Sequence, residues 1–255
     1  MIALIRSEFR KVFSTKLFLI LALSALAFML LQIFLSIFLT PPGFEDINRL
    51  VDPTYIKTII ASAGSASVFL LILGIVAMSG EYRNQTITST FLTTPVRWRV
   101  IVAKMATFAI LALALALVLW FIAAITTMLL LGTQDSAPFQ WSAAFEILGG
   151  TLMGLVLYAI LGVAIGSLIT SQVAAIIIAL VFTFAIEPLI TVFFLSVGKW
   201  LPGNALNSIL QTGGGGPESN ASDLLDVPVG VLVLIGYTVV FAVAAALTTN
   251  RRDIT

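Results

Sequence analysis

The chain has 255 residues, of which 60% are hydrophobic and only 10% charged, with a formal net charge of +1 and a mean hydropathy of +1.12. A soluble domain carries charge on about a quarter of its residues, so this composition belongs to an integral membrane protein. With neither cysteine nor histidine in the chain, disulfides, thiolate metal sites, imidazole relays and Cys or His nucleophiles are excluded, and the near-neutral balance offers no field for nucleic acid.

Crossing a hydrocarbon core of about 30 Å takes roughly 20 apolar residues, and the sequence supplies six such runs in one all-α polytopic domain over 1–255. Before the first, residues 1–16 place Ile2, Ile5, Phe9, Val12 and Phe13 at helical spacing with Arg6, Arg10 and Lys11 elsewhere. That pattern reads as an amphipathic helix in the membrane interface, or as a basic flank that orients the first span. The run that follows is too long for a signal-peptide core, so the first span is expected to be retained, over 17–39 and stopped by Thr40, Pro41 and Pro42.

The second span is expected over 59–78, its first half rich in small residues (Ser62, Gly64, Ser65, Ser67) that permit close helix approach. The third, over 101–131, is longer than one crossing requires and is expected to tilt or to project from the bilayer. The fourth, over 145–169, carries Gly150, Gly154, Gly162 and Gly166, two GxxxG spacings read as packing sites. The fifth, over 173–197, contains Glu187 followed by Pro188: an ionisable group at depth beside a residue that frees a backbone carbonyl. Glu187 and Pro188 are therefore candidates for gating or contact with a transported molecule; the structural alternative is a protonated or hydrogen-bonded carboxyl that holds the kink. Residues 198–228 are too polar to span; 200–210 suit a short amphipathic or re-entrant helix, and Gly213 to Gly216 a linker. The sixth span is expected over 229–247.

Six spans put both termini on one side, together with Arg6, Arg10, Lys11, Lys16, Arg83, Arg97, Arg99, Lys104, Arg251 and Arg252, against Arg49, Lys57 and Lys199 on the other. Ten cations against three make the first side cytoplasmic by the positive-inside rule, with 40–57, 132–144 and 198–228 outside.

On the cytoplasmic side lies the longest polar interruption of the first two thirds of the chain, SGEYRNQTITSTFLTTPVRWRVIVAK from Ser79 to Lys104. Ser79 suits an N-cap with Glu81 near the positive end of the dipole. Ile87 and Phe91 share a helical face, and Thr94 with Pro95 ends the element. A short cytoplasmic helix is expected over 79–98, one that a second protein could grip to transmit rigid-body motion. Arg97, Arg99 and Lys104 read as charges contacting lipid headgroups.

These residues resemble the permease subunits of type-2 ATP-binding-cassette (ABC) exporters. The resemblance rests on Glu8 before Arg10 and Lys11 in the N-terminal helix, the six spans, and the sequence Glu81, Arg83, Thr86 followed by Leu92 and Thr94-Pro95. Leu201-Pro202 adds to it, being similar to the Leu-Pro element of short re-entrant helices before the last span. Many members place Gly before the Thr, where this chain has Gln85. The resemblance implies that 79–98 is a coupling helix docking on a separate ATPase through Glu81, Tyr82, Arg83, Gln85, Thr86, Ile87, Thr90 and Phe91. It also implies a bacterial plasma-membrane location and a second permease copy, or a homologous permease, forming the path at the dimer interface. Drugs, antibiotics, lipids or other amphiphiles are the implied cargo. No GxxxxGK[ST] motif occurs in the chain, so no cofactor is expected in it: ATP and Mg would be held by the partner ATPase. The alternatives are an ion-coupled secondary transporter using Glu187, which would favour inverted repeats that the two halves do not display, and an intramembrane enzyme, for which no acidic pair within the spans provides.

Overall fold

The computed structural model describes residues 2–39, 50, 53–84, 97–134, 136, 138–212 and 224–251. Among them there is no strand, and six helices are long and apolar enough to cross a membrane: Lys16–Phe38, Thr54–Arg83, Trp98–Leu131, Trp141–Leu168, Gln172–Phe193 and Val227–Thr248. The protein is an all-α polytopic membrane protein.

The chain opens with α1 (Ile2–Ser14), which breaks at Thr15 before the first span, α2 (Lys16–Phe38). The second span is compound: α3 (Pro53–Ala61), a 3-10 segment Ser62–Ala66, and α4 (Ser67–Arg83). The tighter winding falls in the small-residue stretch, where side chains are short enough to tolerate the eclipsing of i and i+3. Next come α5 (Arg97–Leu131), 35 residues without a break, and α6 (Trp141–Leu168). The fifth span is α7 (Gln172–Val181), a π-helical segment Phe182–Ile186, and α8 (Glu187–Phe193). It ends at Phe193 rather than at 197: Phe194 leaves helical geometry, and two short helices follow, α9 (Leu195–Gly198) and α10 (Pro202–Ile209). The last span is α11 (Val227–Arg251).

The second and fourth spans are the most enclosed, and the first, fifth and sixth leave most of their surface outside the bundle. Small residues explain the central pair. A side chain at Gly162 or Gly166 would run into the backbone of Leu71 or Ile75, and one at Gly74 into that of Ala159 and Val163. Only glycine lets α4 and α6 approach to backbone contact, the geometry that replaces hydrophobic expulsion as the driving force within lipid. At the far end of α6, Gly150 lies against the carbonyl of Ile209, which seats α10 on the bundle. Large apolar side chains facing outward, such as Leu23, Phe121, Val240 and Leu247, are exposed, as lipid-facing groups are.

The proline stop at 40–42, the loop carrying Glu45, Asp46 and Asp52, and the Gly213–Gly216 linker lie outside the described residues.

Candidate functional sites

Two polar clusters sit inside the bundle, one at each end. The first joins α1, the C-terminal end of α4 and the N-terminal end of α5. Glu8 falls on the same face of α1 as Ile5 and Val12, so packing that face against the bundle carries the carboxylate inward; Glu8 is 3% exposed. Lys104, one turn before Phe108, is 2% exposed. Its ammonium donates to Glu8 Oε2 and, at 2.9 Å, to Glu81 Oε1. Lys11 Nζ donates to Glu8 Oε1 at 2.7 Å and to Glu81 Oε1 at 2.8 Å. Two carboxylates and two ammoniums thus close an alternating ring of zero formal charge.

Burial pulls the Lys11 ammonium down, but hydrogen bonds from it to Glu8 and Glu81 and the two negative charges more than offset this, so its pKa stands above the ordinary 10.5. A raised lysine pKa stabilises the fold below the unfolded value and loses that contribution as pH climbs through the folded one. The ring is therefore intact across the neutral range as far as Lys11 is concerned.

Two expectations are corrected here. Ser79 caps no helix: α4 runs through it to Arg83, and its hydroxyl donates to the Ile75 carbonyl at 2.7 Å. A serine inside a helix can satisfy itself on the preceding turn, and the tertiary contacts of α4 outweigh the local stop signal of Ser79-Gly80. Lys104 does not reach lipid headgroups but is buried in the ring, because its position on α5 faces α1 and α4.

Of the residues expected to couple to an ATPase, Glu81 is buried and held by Lys11 and Lys104, and Tyr82 is half-buried. Arg83 is exposed, its Nη1 donating to Gln172 Oε1 at 3.4 Å. Gln85, Thr86, Ile87, Thr90 and Phe91 lie outside the described residues. Arg99 is exposed and stands 5.8 Å over the Trp98 ring.

The second cluster is built around Glu187. Pro188 has no N–H to give the turn before it, and the helix widens there: the Glu187 N–H bonds to the Phe182 carbonyl, five residues back. The Glu187 side chain, 4% exposed, then meets the start of α10. Pro202 at the first turn fixes that start, but its N-cap is Leu201, which has no side-chain acceptor to offer. Glu187 Oε1 supplies one from another helix, accepting from the Gly203 N–H at 2.5 Å and the Asn204 N–H at 3.1 Å. These are donors that a helix start leaves without partners. A Cβ at Gly203 would sit 2.8 Å from both carboxylate oxygens, so this approach requires glycine.

Asn204 completes the joint. Its Nδ2 donates to Thr191 Oγ1 at 2.6 Å and to the Gly198 carbonyl at 3.0 Å, while Thr191 Oγ1 donates to the Glu187 carbonyl at 2.8 Å. The other end of α10 closes with Gln211 at φ 55°, its N–H on Ser208 O and the Thr212 N–H on Asn207 O, a Schellman cap. Beside Glu187 opens a cavity of about 470 Å³, lined also by Gln32, Ser36, Ser62, Ser65 and Asn207. Glu187 Oε2, Ser62 Oγ and Ser65 Oγ have no hydrogen-bond partner among the described residues.

The sequence singled out Glu187 and Pro188 but missed Asn204 and the pairing of Glu8 with Lys104. A signal existed for the pair: one carboxylate on an apolar helical stripe and one ammonium inside an apolar run. No group of acidic residues among those described could hold a metal ion.

A six-span helical bundle with a neutralised ionic joint at one end and a polar cavity at the other is a membrane protein of the transporter class. Residues 4–186 match the family model described as ABC-2 family transporter protein, and the chain belongs to that family. It is thereby a permease, the membrane component of an ABC transporter rather than its ATPase, and its family associates with an ABC ATPase. Comparison with curated proteins gives no match. Glu187 and the helices α8 to α11 lie beyond the matched residues.

Proposed function

We propose that the protein is the permease of an ATP-driven exporter, moving an amphiphile such as a drug, antibiotic or lipid out of a bacterial cell along a path at a permease dimer interface. The second subunit is another copy or a homologous permease, membrane lipid surrounds the pair, and ATP and Mg are bound by the ATPase. The end carrying the ionic ring faces the cytoplasm with both termini, in keeping with ten cations against three.

The observation that carries the coupling role is the position of the ring. Glu81 and Lys104 lie on the two helices that flank 84–96, and each is tied to α1 through Glu8 or Lys11. A partner that grips the connecting segment pulls on α1, α4 and α5 as one body, because moving any of them alone would expose an unpaired buried charge. Glu81 is on this reading a positioning residue, and the surface offered to the ATPase begins at Arg83 and continues through Gln85, Thr86, Ile87, Thr90 and Phe91. Family membership favours this ATP-driven reading over an ion-coupled secondary transporter.

The test is to replace Ile87 and Phe91 together by Asp and measure co-purification of the ATPase subunit and its stimulation by the permease in proteoliposomes. Both should be lost with the thermal midpoint of the permease unchanged; retained association and stimulation would overturn the coupling role. Direction is read separately, from ATP-dependent accumulation of amphiphiles in inside-out vesicles.

A further inference from the structure

The environment of Glu187 is unbalanced. One carboxylate oxygen is satisfied by two backbone N–H groups, while the other is buried with no partner among the described residues, on a side chain that lines the 470 Å³ cavity. Among the described residues, no lysine or arginine lines that cavity; its polar walls are hydroxyls and amides, among them Ser62 Oγ and Ser65 Oγ, which also lack partners among those residues. A carboxylate withdrawn from water with half its acceptor capacity unmet is costly, and a cation brought to it recovers that cost. Hydroxyl and amide oxygens around it can take up the remaining donors of an ammonium or guanidinium.

A second space adjoins the first. A pocket of about 190 Å³ shares Tyr158 and Thr183 with the polar cavity and is otherwise apolar and aromatic, with Phe182, Tyr237 and Phe241 in its wall. The start of α10 stands at the junction, Pro202 lining the apolar space and Gly203 the polar one. Tyr158 and Thr183 line both spaces, so a drug-sized molecule reaching past them would meet an apolar wall on one side and a few convergent polar groups on the other.

The geometry points to a binding site for an organic cation with an apolar or aromatic body: its ammonium or guanidinium head on Glu187 Oε2, its body in the pocket behind Tyr158 and Thr183. This rests on the reading of the chain as a substrate-moving permease and names the class of molecule that the site accepts. The ionised form of Glu187 disfavours anions, and neutral amphiphiles gain only the apolar contact.

The test uses the full-length protein in nanodiscs without ATPase, and a matched pair of solvatochromic probes: dansylcadaverine, with a primary ammonium, and its N-acetylated neutral analogue. The wild-type protein should bind the cationic probe at least about tenfold more tightly, the factor expected from a hydrogen bond to a charged group. Glu187→Gln should abolish that preference, leaving the neutral probe unaffected, and Phe182→Ala should weaken both probes alike. Equal binding of the two probes by the wild-type protein, no binding of either, or an undiminished preference in Glu187→Gln would each overturn the assignment. The first two outcomes need no variant, so misfolding cannot mask them. ATPase association is measured on the same preparations: a failed preference with retained association sinks the ligand class alone, whereas loss of association in the wild-type protein sinks the coupled-permease reading.

Discussion

At the cation-rich end of the bundle two glutamates and two lysines cancel one another, whereas at the opposite end Glu187 faces backbone N–H groups and a cavity with no lysine or arginine among the described residues that line it. Both carboxylate sites are buried, so depth alone does not separate them. The difference lies in what each holds together. The ring joins three helices distant in sequence, Glu8 and Lys104 being 96 residues apart, and each of its carboxylates is answered by two ammoniums. Glu187 joins the fifth span to a short helix beyond it and keeps one oxygen without a partner among the described residues. A neutralised buried network suits a joint that must move as one piece; an uncompensated carboxylate suits a site that gains a partner.

The largest effect should come from breaking the neutrality of the ring. Lys104→Met removes the most buried ammonium and leaves Glu8 and Glu81 with Lys11 alone; removing one partner of a buried ion pair costs about 3–5 kcal/mol. The thermal midpoint of the purified permease in detergent should fall accordingly. Adding Glu8→Gln to Lys104→Met should restore much of the loss, since the two sites are in contact and their effects are not additive. A single variant as stable as wild type would mean that the ring contributes nothing to holding α1, α4 and α5 together.

At Glu187 the expected effect is smaller and depends on which atom is kept. Glu187→Ala strips the acceptor from the start of α10, a loss of about 0.5–2 kcal/mol by analogy with capping residues. Glu187→Gln retains an oxygen at the same reach, so its midpoint should lie close to wild type. Were the two variants equally destabilised, the charge and not the cap would be what the fold requires, and the contrast with the ring would narrow.

How far these sites were legible in the sequence follows from the kind of information each needs. The spans were visible because a bilayer sets a minimum apolar length, and α2, α5, α6 and α11 appear as apolar runs bounded by polar residues. Glu187 was visible because a charge inside such a run stands out. Its role as the cap of α10 was not, since that depends on Phe194 breaking the helix so that Gly203 and Asn204 fold back onto it. Ser79 misled because Ser-Gly is a local stop signal, while the continuation of α4 is decided by glycine contacts with α6 that no window around residue 79 contains. The same locality points Lys104 to headgroups, since its carboxylate partners lie 96 and 23 residues away.

An ion pair outside the ring offers the control. Lys57 Nζ lies 2.5 Å from Glu146 Oε2, linking α3 to α6 at the end of the bundle that holds Glu187, with side-chain exposures of 27% and 52%. Solvent already satisfies such groups, and exposed pairs contribute roughly 0.2–1 kcal/mol, less as salt screens them. Lys57→Ala should therefore shift the thermal midpoint little, and raising the salt concentration should shrink even that shift, while Lys104→Met should remain destabilised at high salt because its partners are out of reach of ions. If Lys57→Ala and Lys104→Met cost the same, burial would not be what distinguishes the ring, and its proposed role as a rigid joint would lose its physical basis.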